Sequence, residues 1–553
     1  MEIKVGTLVD LAAVLLLTAS AICRPRDSDG FFVGIERAGR RIARHRTLCC
    51  IGVGLLTLAV RAALLPVWHI PRPSVQDEFA YLLGADTFAS GRLTNPTPPL
   101  WQFFESTHII LVPTYASKFP PAQSLFLALG QVVFGHPWFG VWLSCGVMIA
   151  AICWLLQGWL PSGWALLGAL LALIRAGVGS YWMNSYWGGA VAAIGGCLVL
   201  GAYVRIVRRR QFAYAWVLGA GLLILANSRP FEGTILAVPV ILALIHRLIT
   251  SAAGRRRLPL GPIVVPLLVC LVCGAGAMGY YNYRVTGHPL RMPYREHVEQ
   301  YGTVPVLFFM PFQPPRTYRH DSLRFQYVEW EMTQIRQARE HFLTIRASEL
   351  WTTNEALLGL ALVAPLALLP LTFRDQRTRL LLIVLLAMLC ATALAQGIRA
   401  HYLAPATGCL FGLLIQCLRH LRASRFLDRN TGRYVVTMLP VLAATAFLIT
   451  LAIALHTERP VDPLSTVKQK PEVEARLLAT GGKQLVFVHY HLTTVAPFDE
   501  WVSNRADIDA SPVVWAQDMG PIENRKLLSY YADRHAWLFE PNATPPRLTP
   551  CPR

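Results

Sequence analysis

The chain has 553 residues, of which 54% are hydrophobic and only 15% are charged, and its mean hydropathy is +0.42. Soluble domains carry roughly 25% charged residues, so this composition excludes an ordinary soluble protein and indicates a membrane protein. The formal net charge of +19 would suit a nucleic-acid binder. The basic residues are divided among five short, separate loops, however, which excludes a continuous binding surface for nucleic acid.

Repeated apolar runs approach the ~20 residues that a helix needs to cross a bilayer. We therefore predict an all-α polytopic membrane protein with about twelve transmembrane helices and a small α/β domain at its C-terminus. The twelve runs lie near residues 7–23, 47–66, 137–157, 162–178, 188–204, 214–228, 232–249, 261–283, 357–373, 380–397, 401–417 and 434–456.

The charge distribution predicts the orientation of these helices. Five loops on one side of the predicted membrane carry 23 arginines against five acidic residues, which is nearly all of the positive excess. Cytoplasmic loops of membrane proteins are enriched in Lys and Arg, so we assign this side to the cytoplasm. Both termini, the loops 67–136, 179–187 and 284–356, and the tail 457–553 then lie outside.

The same pattern divides the chain into five segments. Within them, residues 123–135 read as a short helix that does not span, and residues 323–346 as a polar helix. The tail reads as strands at 485–488, 512–515 and 536–539 with a helix at 522–533. The segments are an N-terminal helix with a basic cytoplasmic loop (1–46), a catalytic transmembrane module that includes the first outer loop 67–136 (47–283), a second long outer loop (284–356), C-terminal transmembrane helices (357–456) and an extracytoplasmic α/β domain (457–553).

The twelve cysteines give no sign of a disulfide framework or a metal site. Most lie in apolar runs, and the one CxxC pair, Cys270 and Cys273, falls in the middle of a predicted helix. There both sulfurs are expected to act as small packing groups.

Two adjacent acids, Asp77 and Glu78, open the first outer loop. Carboxylates are costly close to hydrocarbon, so the pair is expected to face a wet cavity and to have a task there. The alternative is a solvated loop acid or the cap of a short helix.

Other polar residues gather at the same predicted face, since they end or begin different outer segments. We predict that they bind substrate, while membrane-interface packing, loop ion pairs or lipid-headgroup contacts are the alternatives for them. These residues are Tyr81, Lys118, Asn184, Tyr186, Arg229, Glu232, Arg295 and His401.

Two elements of the first outer loop carry a family resemblance. One is the pattern Asp77-Glu78-x-x-Tyr81-x-x-x-Ala85 followed by Gly91, and the other is Lys118-x-Pro-Pro before the short helix. With the order of the spans up to about residue 283, they resemble the GT-C superfamily of membrane glycosyltransferases. The protein O-mannosyltransferases and the bacterial lipid A aminoarabinose transferase are the nearest in pattern.

The resemblance implies a sugar donor on a polyprenyl phosphate and an outer-loop acid that activates the acceptor. It assigns Asp77 the role of base, with Glu78 beside it. Breaking the bond to the phosphate builds positive charge on the sugar and negative charge on the leaving group. Lys118 and an arginine such as Arg229 or Arg295 could stabilise that phosphate.

One departure from the family pattern concerns the second outer loop. Several relatives have an acid there, where this chain has Asn184. A two-acid metal site is therefore less favoured, and Glu78 or Glu232 would have to complete one. No cofactor is implied, although the binding of a divalent metal is left open.

These observations favour a glycosyltransferase on the outer face of a bacterial inner membrane. It would move a sugar from a polyprenyl-phosphate carrier to a lipid, glycan or protein acceptor, with membrane lipids but no nucleic acid as further partners. The alternatives are a lipid or glycolipid flippase, which would place ionisable groups near the midplane of the membrane, and a non-catalytic scaffold.

Overall fold

The computed structural model describes residues 5–23, 29–250, 258–373, 375–376, 378–395, 397–424, 431–456, 466–491, 499–543 and 545–551. These residues are mostly helical, as expected, and small sheets lie at two places outside the helical bundle. The α-helices are α1 (Val5–Cys23), α2 (Asp29–Arg44), α3 (Arg46–Ala63), α4 (Gln76–Ala89), α5 (Pro121–Phe134), α6 (Trp138–Trp159), α7 (Ser162–Ala172), α8 (Ala190–Arg209), α9 (Tyr214–Ser228), α10 (Pro230–Thr250), α11 (Gly261–Thr286), α12 (Pro293–Tyr301), α13 (Asp321–Arg324), α14 (Glu331–Glu340), α15 (Phe342–Leu357), α16 (Gly359–Val363), α17 (Leu369–Thr372), α18 (Arg379–Leu394), α19 (Thr407–Arg422), α20 (Thr431–His456), α21 (Lys470–Ala479) and α22 (Pro521–Tyr530).

Six of the described helices are long and apolar enough to cross a membrane, and a seventh span is possible if one bent pair counts as one. The six are α3, α6, α8, α10, α11 and α20. Shorter apolar helices occupy several of the other predicted runs, such as α9 and α18. The chain is thus a multi-pass membrane protein.

Helices α6 and α8 form the centre of the bundle. In the most apolar stretch of α8, 89% of the residues are buried, against 17% in α11, which faces outwards. Glycines allow the close packing of α8: a Cβ on Gly196 would collide with the backbone of Pro405. The buried core is continuous through these central helices and α19.

The predicted span at 357–373 differs from the observed structure. Helix α15 begins well before it, and the chain then bends by 100° between Leu357 and Gly359. Gly359 has φ +72°, and the backbone N–H of Leu360 donates to Asp10 Oδ2 at 3.0 Å. The N-terminal helix α1 is therefore tied to this bend by a hydrogen bond.

The first outer loop contains more structure than the sequence pattern indicated. The short helix expected at 123–135 is confirmed as α5. Three short strands were missed, and helix α4 was anticipated only through the alternative of a short-helix cap, because each is brief and takes its packing partners from distant segments. The strands are β1 (Asn95–Pro96), β2 (Ile109–Ile110) and β3 (Thr114–Ser117), in the antiparallel order β1-β3-β2.

The C-terminal segment forms the small α/β unit that its pattern predicts. Strands β4 (Lys483–Val488), β5 (Val513–Gln517), β6 (Arg534–Glu540) and β7 (Arg547–Pro550) make one sheet. The order is β5-β4-β6-β7, parallel except for β7. Strand β7 and helix α21 were not predicted, since neither carries a buried apolar run.

This unit packs directly on the first outer loop. Phe79 of α4 lies in the same apolar cluster as Trp501 and Trp515, whereas Tyr81 belongs to the core of the helical bundle. Helix α4 is thus held between the bundle and the C-terminal sheet.

Candidate active site

Asp77 and Glu78 lie in the first turn of α4, so the helix-cap alternative describes Glu78 correctly. Glu78 Oε2 accepts hydrogen bonds from the backbone N–H groups of Ser74 (2.7 Å) and Val75 (3.1 Å), while Oε1 accepts one from Tyr186 (2.9 Å). The bond from Val75, the residue before the helix, completes a capping box. Glu78 therefore joins the first and second outer loops, and its catalytic role stays a prediction.

Asp77 faces a different environment from its neighbour. Its side chain is 25% exposed, and the nearest basic atom is His108 Nε2, 3.9 Å from Oδ2. Burial raises the pKa of Asp77, and the charges of Lys118 and Arg229 oppose that rise. In the described part of the chain, no side chain lies close enough to donate a hydrogen bond to this carboxylate.

Lys118 follows strand β3 and is held there by its backbone N–H, which donates to the carbonyl oxygen of His108 at 3.1 Å. Only 9% of the residue is exposed. Its ammonium nitrogen lies 5.2 Å from the ring centre of Phe119 and 5.4 Å from that of Tyr294. Burial lowers the pKa of Lys118, while the charges of Glu331 and Asp77 act to raise it.

Arg229 reaches the same place from the end of helix α9. Its guanidinium carbon is 5.2 Å from the ring centre of Tyr402. Asp77, Tyr81 and Glu232 all lie within its electrostatic range. Among the residues that the structure describes, neither Arg229 nor Lys118 donates a side-chain hydrogen bond or forms a close ion pair. Both cations can therefore bind an anionic ligand.

Tyr81 and Glu232 also lie beside these groups, as predicted from their place at the outer face. The ring of Tyr81 stacks on Phe119 with ring centres 4.4 Å apart, and burial raises the pKa of its hydroxyl to about 12. Glu232 lies in the first turn of α10 and interacts electrostatically with Arg229.

Four other predicted substrate-binding residues form hydrogen bonds or ion pairs with other parts of the protein. The amide group of Asn184 donates to the carbonyls of Val178 and Ser180 and accepts from Arg61, so it holds the second outer loop. The hydroxyl of Tyr186 donates to the carbonyl of Pro71 at 2.9 Å.

The other two are Arg295 and His401. The side chain of Arg295 is 76% exposed and pairs with Glu299, and His401 Nδ1 is 2.8 Å from the hydroxyl of Tyr181. Each of these four side chains therefore has a partner within the protein, and His401 also lies within the electrostatic range of Arg229. Their contacts with substrate stay predictions.

Two buried histidines near Asp77 were missed by the sequence analysis. His108 adopts φ +67°, which is uncommon for a non-glycine residue, and its backbone N–H donates to Tyr327 Oη at 3.4 Å. The Tyr327 hydroxyl is 3.1 Å from His297 Nε2. Burial, with the charge of Lys118, holds the pKa of both imidazoles well below its ordinary value.

Glu331, from the second long outer loop, is a second acid beside this group. Its Oε1 accepts a hydrogen bond from Gln326 Nε2 at 3.2 Å, and Gln326 Oε1 accepts one from Gln76, the residue before Asp77. Burial raises the pKa of Glu331 to about 7, which the charge of Lys118 opposes. The only sequence signal for it was an acid within a predicted polar helix.

The C-terminal domain contributes to the position of His108. Glu500 Oε2 accepts a hydrogen bond from the backbone N–H of Thr107 at 2.9 Å, directly before His108. Gln517 Nε2 donates to the carbonyl of Glu105 at 3.0 Å. The segment that carries His108 is therefore fixed by contacts from the end of the chain.

A metal-binding arrangement was left open by the sequence. In the ranges that the structure describes, no three His, Cys, Asp or Glu side chains come together in a way that could hold a metal ion.

No protein-family model and no curated protein matches this chain. Its structure is similar to that of ArnT from Cupriavidus metallidurans bound to undecaprenyl phosphate, with 15% identity over 89% of this chain and 92% of that one, and a TM-score of 0.47. It is also similar to the oligosaccharyltransferase of Archaeoglobus fulgidus in complex with Zn and sulfate, with 12% identity over 88% of this chain and 67% of that one, and a TM-score of 0.46.

A third similar structure is the archaeal oligosaccharyltransferase AglB from Archaeoglobus fulgidus with an inhibitory peptide and a dolichol-phosphate. The identity is 11% over 88% of this chain and 69% of that one, and the TM-score is 0.41. At these identities and TM-scores the function has to be inferred from the residues of this chain.

Proposed function

We propose that this chain is a glycosyltransferase that moves a sugar from a polyprenyl-phosphate carrier to an acceptor. One observation carries the proposal. Three charged groups from separate segments come together without forming close ion pairs with one another, namely those of Asp77, Lys118 and Arg229. Buried charges without partners are costly, so such a group is expected to be completed by a ligand. A carboxylate within the electrostatic range of two cations suits a reaction that removes a proton and releases a phosphate.

The reaction follows from these positions. The acceptor hydroxyl or amine attacks the anomeric carbon while its proton passes to Asp77. The bond from that carbon to the phosphate oxygen breaks, and its electron pair leaves with the lipid phosphate. Lys118 and Arg229 then stabilise the negative charge of the leaving group, the arginine with two N–H donors. Attack from the face opposite the phosphate inverts the anomeric configuration.

The remaining groups support this arrangement. We assign Glu78 the placement of Asp77 through the start of helix α4, and Tyr81 and Glu232 the placement of Arg229. In the similar structures, ArnT binds undecaprenyl phosphate and AglB a dolichol-phosphate. A lipid phosphate of this class is the leaving group that we propose here.

The proposal includes the membrane arrangement and the division into segments. About twelve spans and an active face outside the cytoplasm are proposed from the apolar runs and the one-sided arginines, and the bacterial inner membrane from the family resemblance. The five segments divided at residues 46, 283, 356 and 456 belong to the same proposal, with residues 457–553 as an extracytoplasmic domain that braces the first outer loop.

A flippase is the alternative of a different class. It would require ionisable groups that are free to act within the membrane. The buried Arg61 donates hydrogen bonds to the carbonyls of Trp68 and His69, and Asp10 is bonded to Leu360. These intramembrane polar groups are therefore engaged with backbone, which favours the transferase.

The test is transfer by the Asp77→Asn variant. Loss of a general base lowers rates by roughly 10²- to 10⁴-fold, so we expect a loss of this size with purified protein and a polyprenyl-phosphate sugar. The control is Glu299→Gln, which removes an exposed outer carboxylate and should transfer normally. An Asp77→Asn variant with full activity would remove Asp77 from the mechanism. A wild-type protein that binds the donor without consuming it would favour the flippase.

A further inference from the structure

Two exposed arginines come together on the face that carries the basic loops, where α3 begins and α6 and α8 end. Arg46 is the first residue of α3, and Arg209 is the last residue of α8. Gln157, close to the end of α6, joins them. Its Nε2 donates to the carbonyl oxygen of Arg46 at 3.0 Å, and its own carbonyl oxygen accepts from Arg209 Nη2 at 2.7 Å. The ends of three membrane-spanning helices thus bring two positive charges to one place.

These two charges are not balanced by the protein. Arg46 lies within the electrostatic range of Arg209. Among the residues that the structure describes, no acidic side chain forms an ion pair with either arginine, and the side chain of Arg46 makes no hydrogen bond. Arg209 uses one N–H on Gln157, whereas a guanidinium group has five. Because like charges repel, an anion that contacts both arginines is favourable, and the planar guanidinium groups suit a phosphate.

The surroundings of the two arginines are aromatic and fixed. Arg205, one turn before Arg209 in α8, is buried and donates to the carbonyl oxygen of Trp154 at 2.8 Å. Its guanidinium carbon lies 3.8 Å from the ring centre of Trp154, and the ring centre of Tyr214 lies 5.8 Å from that indole. Arg205 is therefore engaged within the protein. Tryptophan and tyrosine are enriched at the headgroup level of a membrane, so the two free cations lie at that level as well.

The position favours a lipid over a soluble anion. In the most apolar stretch of α3 only 28% of the residues are buried, so this helix borders the bilayer. Leu48 and Ile51, in its first two turns, are 67% and 50% exposed and can contact acyl chains. The cytoplasmic leaflet carries anionic phospholipids, which attract basic residues at its surface.

We propose that Arg46 and Arg209 bind the phosphate of an anionic phospholipid in the inner leaflet. The phosphate oxygens accept hydrogen bonds from both guanidinium groups, and the acyl chains follow the exposed face of α3. A zwitterionic headgroup fits less well, because its own cation would restore the repulsion. The site is separate from the transfer reaction, since α3 begins at Arg46 and crosses the membrane towards the segment that carries Asp77.

The experiment measures lipid retention by the full-length protein with native mass spectrometry. Equal amounts of phosphatidylglycerol and phosphatidylcholine are offered to the protein in detergent, and we expect selective retention of phosphatidylglycerol. Arg46→Gln should lower this retention roughly tenfold, because it removes charge-assisted hydrogen bonds to the phosphate. The variant should fold as the wild type does, since the side chain of Arg46 makes no hydrogen bond within the described residues. Arg209→Gln tests the second cation and should have a similar effect.

The control is Arg40→Gln. Arg40 is an exposed arginine of the same face whose charge is already paired with Glu36 at 2.9 Å, so its substitution should leave lipid retention unchanged. Equal retention of the two lipids would overturn the proposal, and so would an Arg46→Gln variant that retains phosphatidylglycerol as Arg40→Gln does. Inorganic phosphate that displaces the lipid at the same concentration would also overturn it, because the ligand would then be a free anion.

Discussion

The candidate site around Asp77 contains a second acid whose burial has a consequence for pH. Glu331 has its pKa raised to about 7 by burial. The folded protein therefore keeps this proton at pH values where the unfolded chain has already lost it. The resulting stabilisation is complete below the ordinary pKa of a glutamic acid, and it disappears as the pH rises through 7.

Glu331→Gln removes this titration while it keeps the size of the side chain. We therefore expect the unfolding temperature of the variant, relative to wild type, to increase between pH 5 and pH 8. Thermal unfolding at several pH values measures the difference. Glu329→Gln is the control, because Glu329 is an exposed partner of Arg324. A constant difference across this pH range would show that Glu331 does not titrate there.

Substitutions of Lys118 and Arg295 test which of these two cations contacts the phosphate. Lys118→Gln should raise the KM for the lipid-linked donor by tenfold or more, because a charge-assisted hydrogen bond contributes about 1.5–3 kcal/mol. Arg295→Gln should change it little, since this exposed side chain pairs with Glu299. Steady-state kinetics with a short-chain donor separates the two. Equal increases in KM for both substitutions would indicate that Arg295 also contacts the donor.

At the scale of single elements, helix α4 depends on the carboxylate of Glu78. In Glu78→Gln an N–H group replaces one acceptor oxygen and faces a backbone N–H. Leaving a buried amide unpaired costs about 1–3 kcal/mol. We expect faster hydrogen exchange at Ser74, Val75 and Tyr186 and slower transfer, because Asp77 is adjacent.

The control for this helix is Glu523→Gln in the first turn of α22. Its carboxylate is exposed and pairs only with Lys526 in the structure described. Exposed pairs contribute about 0–1 kcal/mol, so exchange and transfer should stay near those of the wild type. Unchanged exchange in Glu78→Gln would contradict the positioning role.

The elements also show what sequence patterns can and cannot give. Long apolar runs such as that of α8 predicted the helices, because burial in a membrane or a core demands continuous apolar residues. Strands β4 and β5 were found for the same reason. Helix α4 was anticipated only as an alternative, since its residues face two partners and show no single apolar face, and the bend after α15 was missed because it depends on contacts with α1.

The residues of the candidate site were also predicted only in part. Asp77, Lys118 and Arg229 were identified because each lies at the outer end of its segment and two of them belong to a family pattern. His108 and Glu331 were not, since their roles depend on contacts with segments far away in the chain. Asn184 was assigned to the substrate from its position alone, but its amide is needed by Arg61.

At the scale of the whole molecule, the proposal requires Asp77 and the basic loops on opposite sides of the membrane. In a background with Cys551→Ser, a Glu299→Cys variant should react with a membrane-impermeant maleimide in intact cells. An Arg44→Cys variant should react only after the cells are opened. Both replaced residues are well exposed to solvent, so labelling reports the side and not burial. The reverse pattern would place Asp77 in the cytosol and end the proposal.

The bend at Gly359 links the N-terminal helix α1 to a distant part of the polypeptide. A methyl group on this residue would collide with the carboxylate of Asp10 and the guanidinium of Arg175, and its left-handed backbone would be strained as well. Exchanging this glycine for alanine would therefore push the N-terminal helix away from the bundle. The change would also disturb Leu360, the next residue, whose hydrogen-bond partner Asp10 lies 350 residues earlier in the chain.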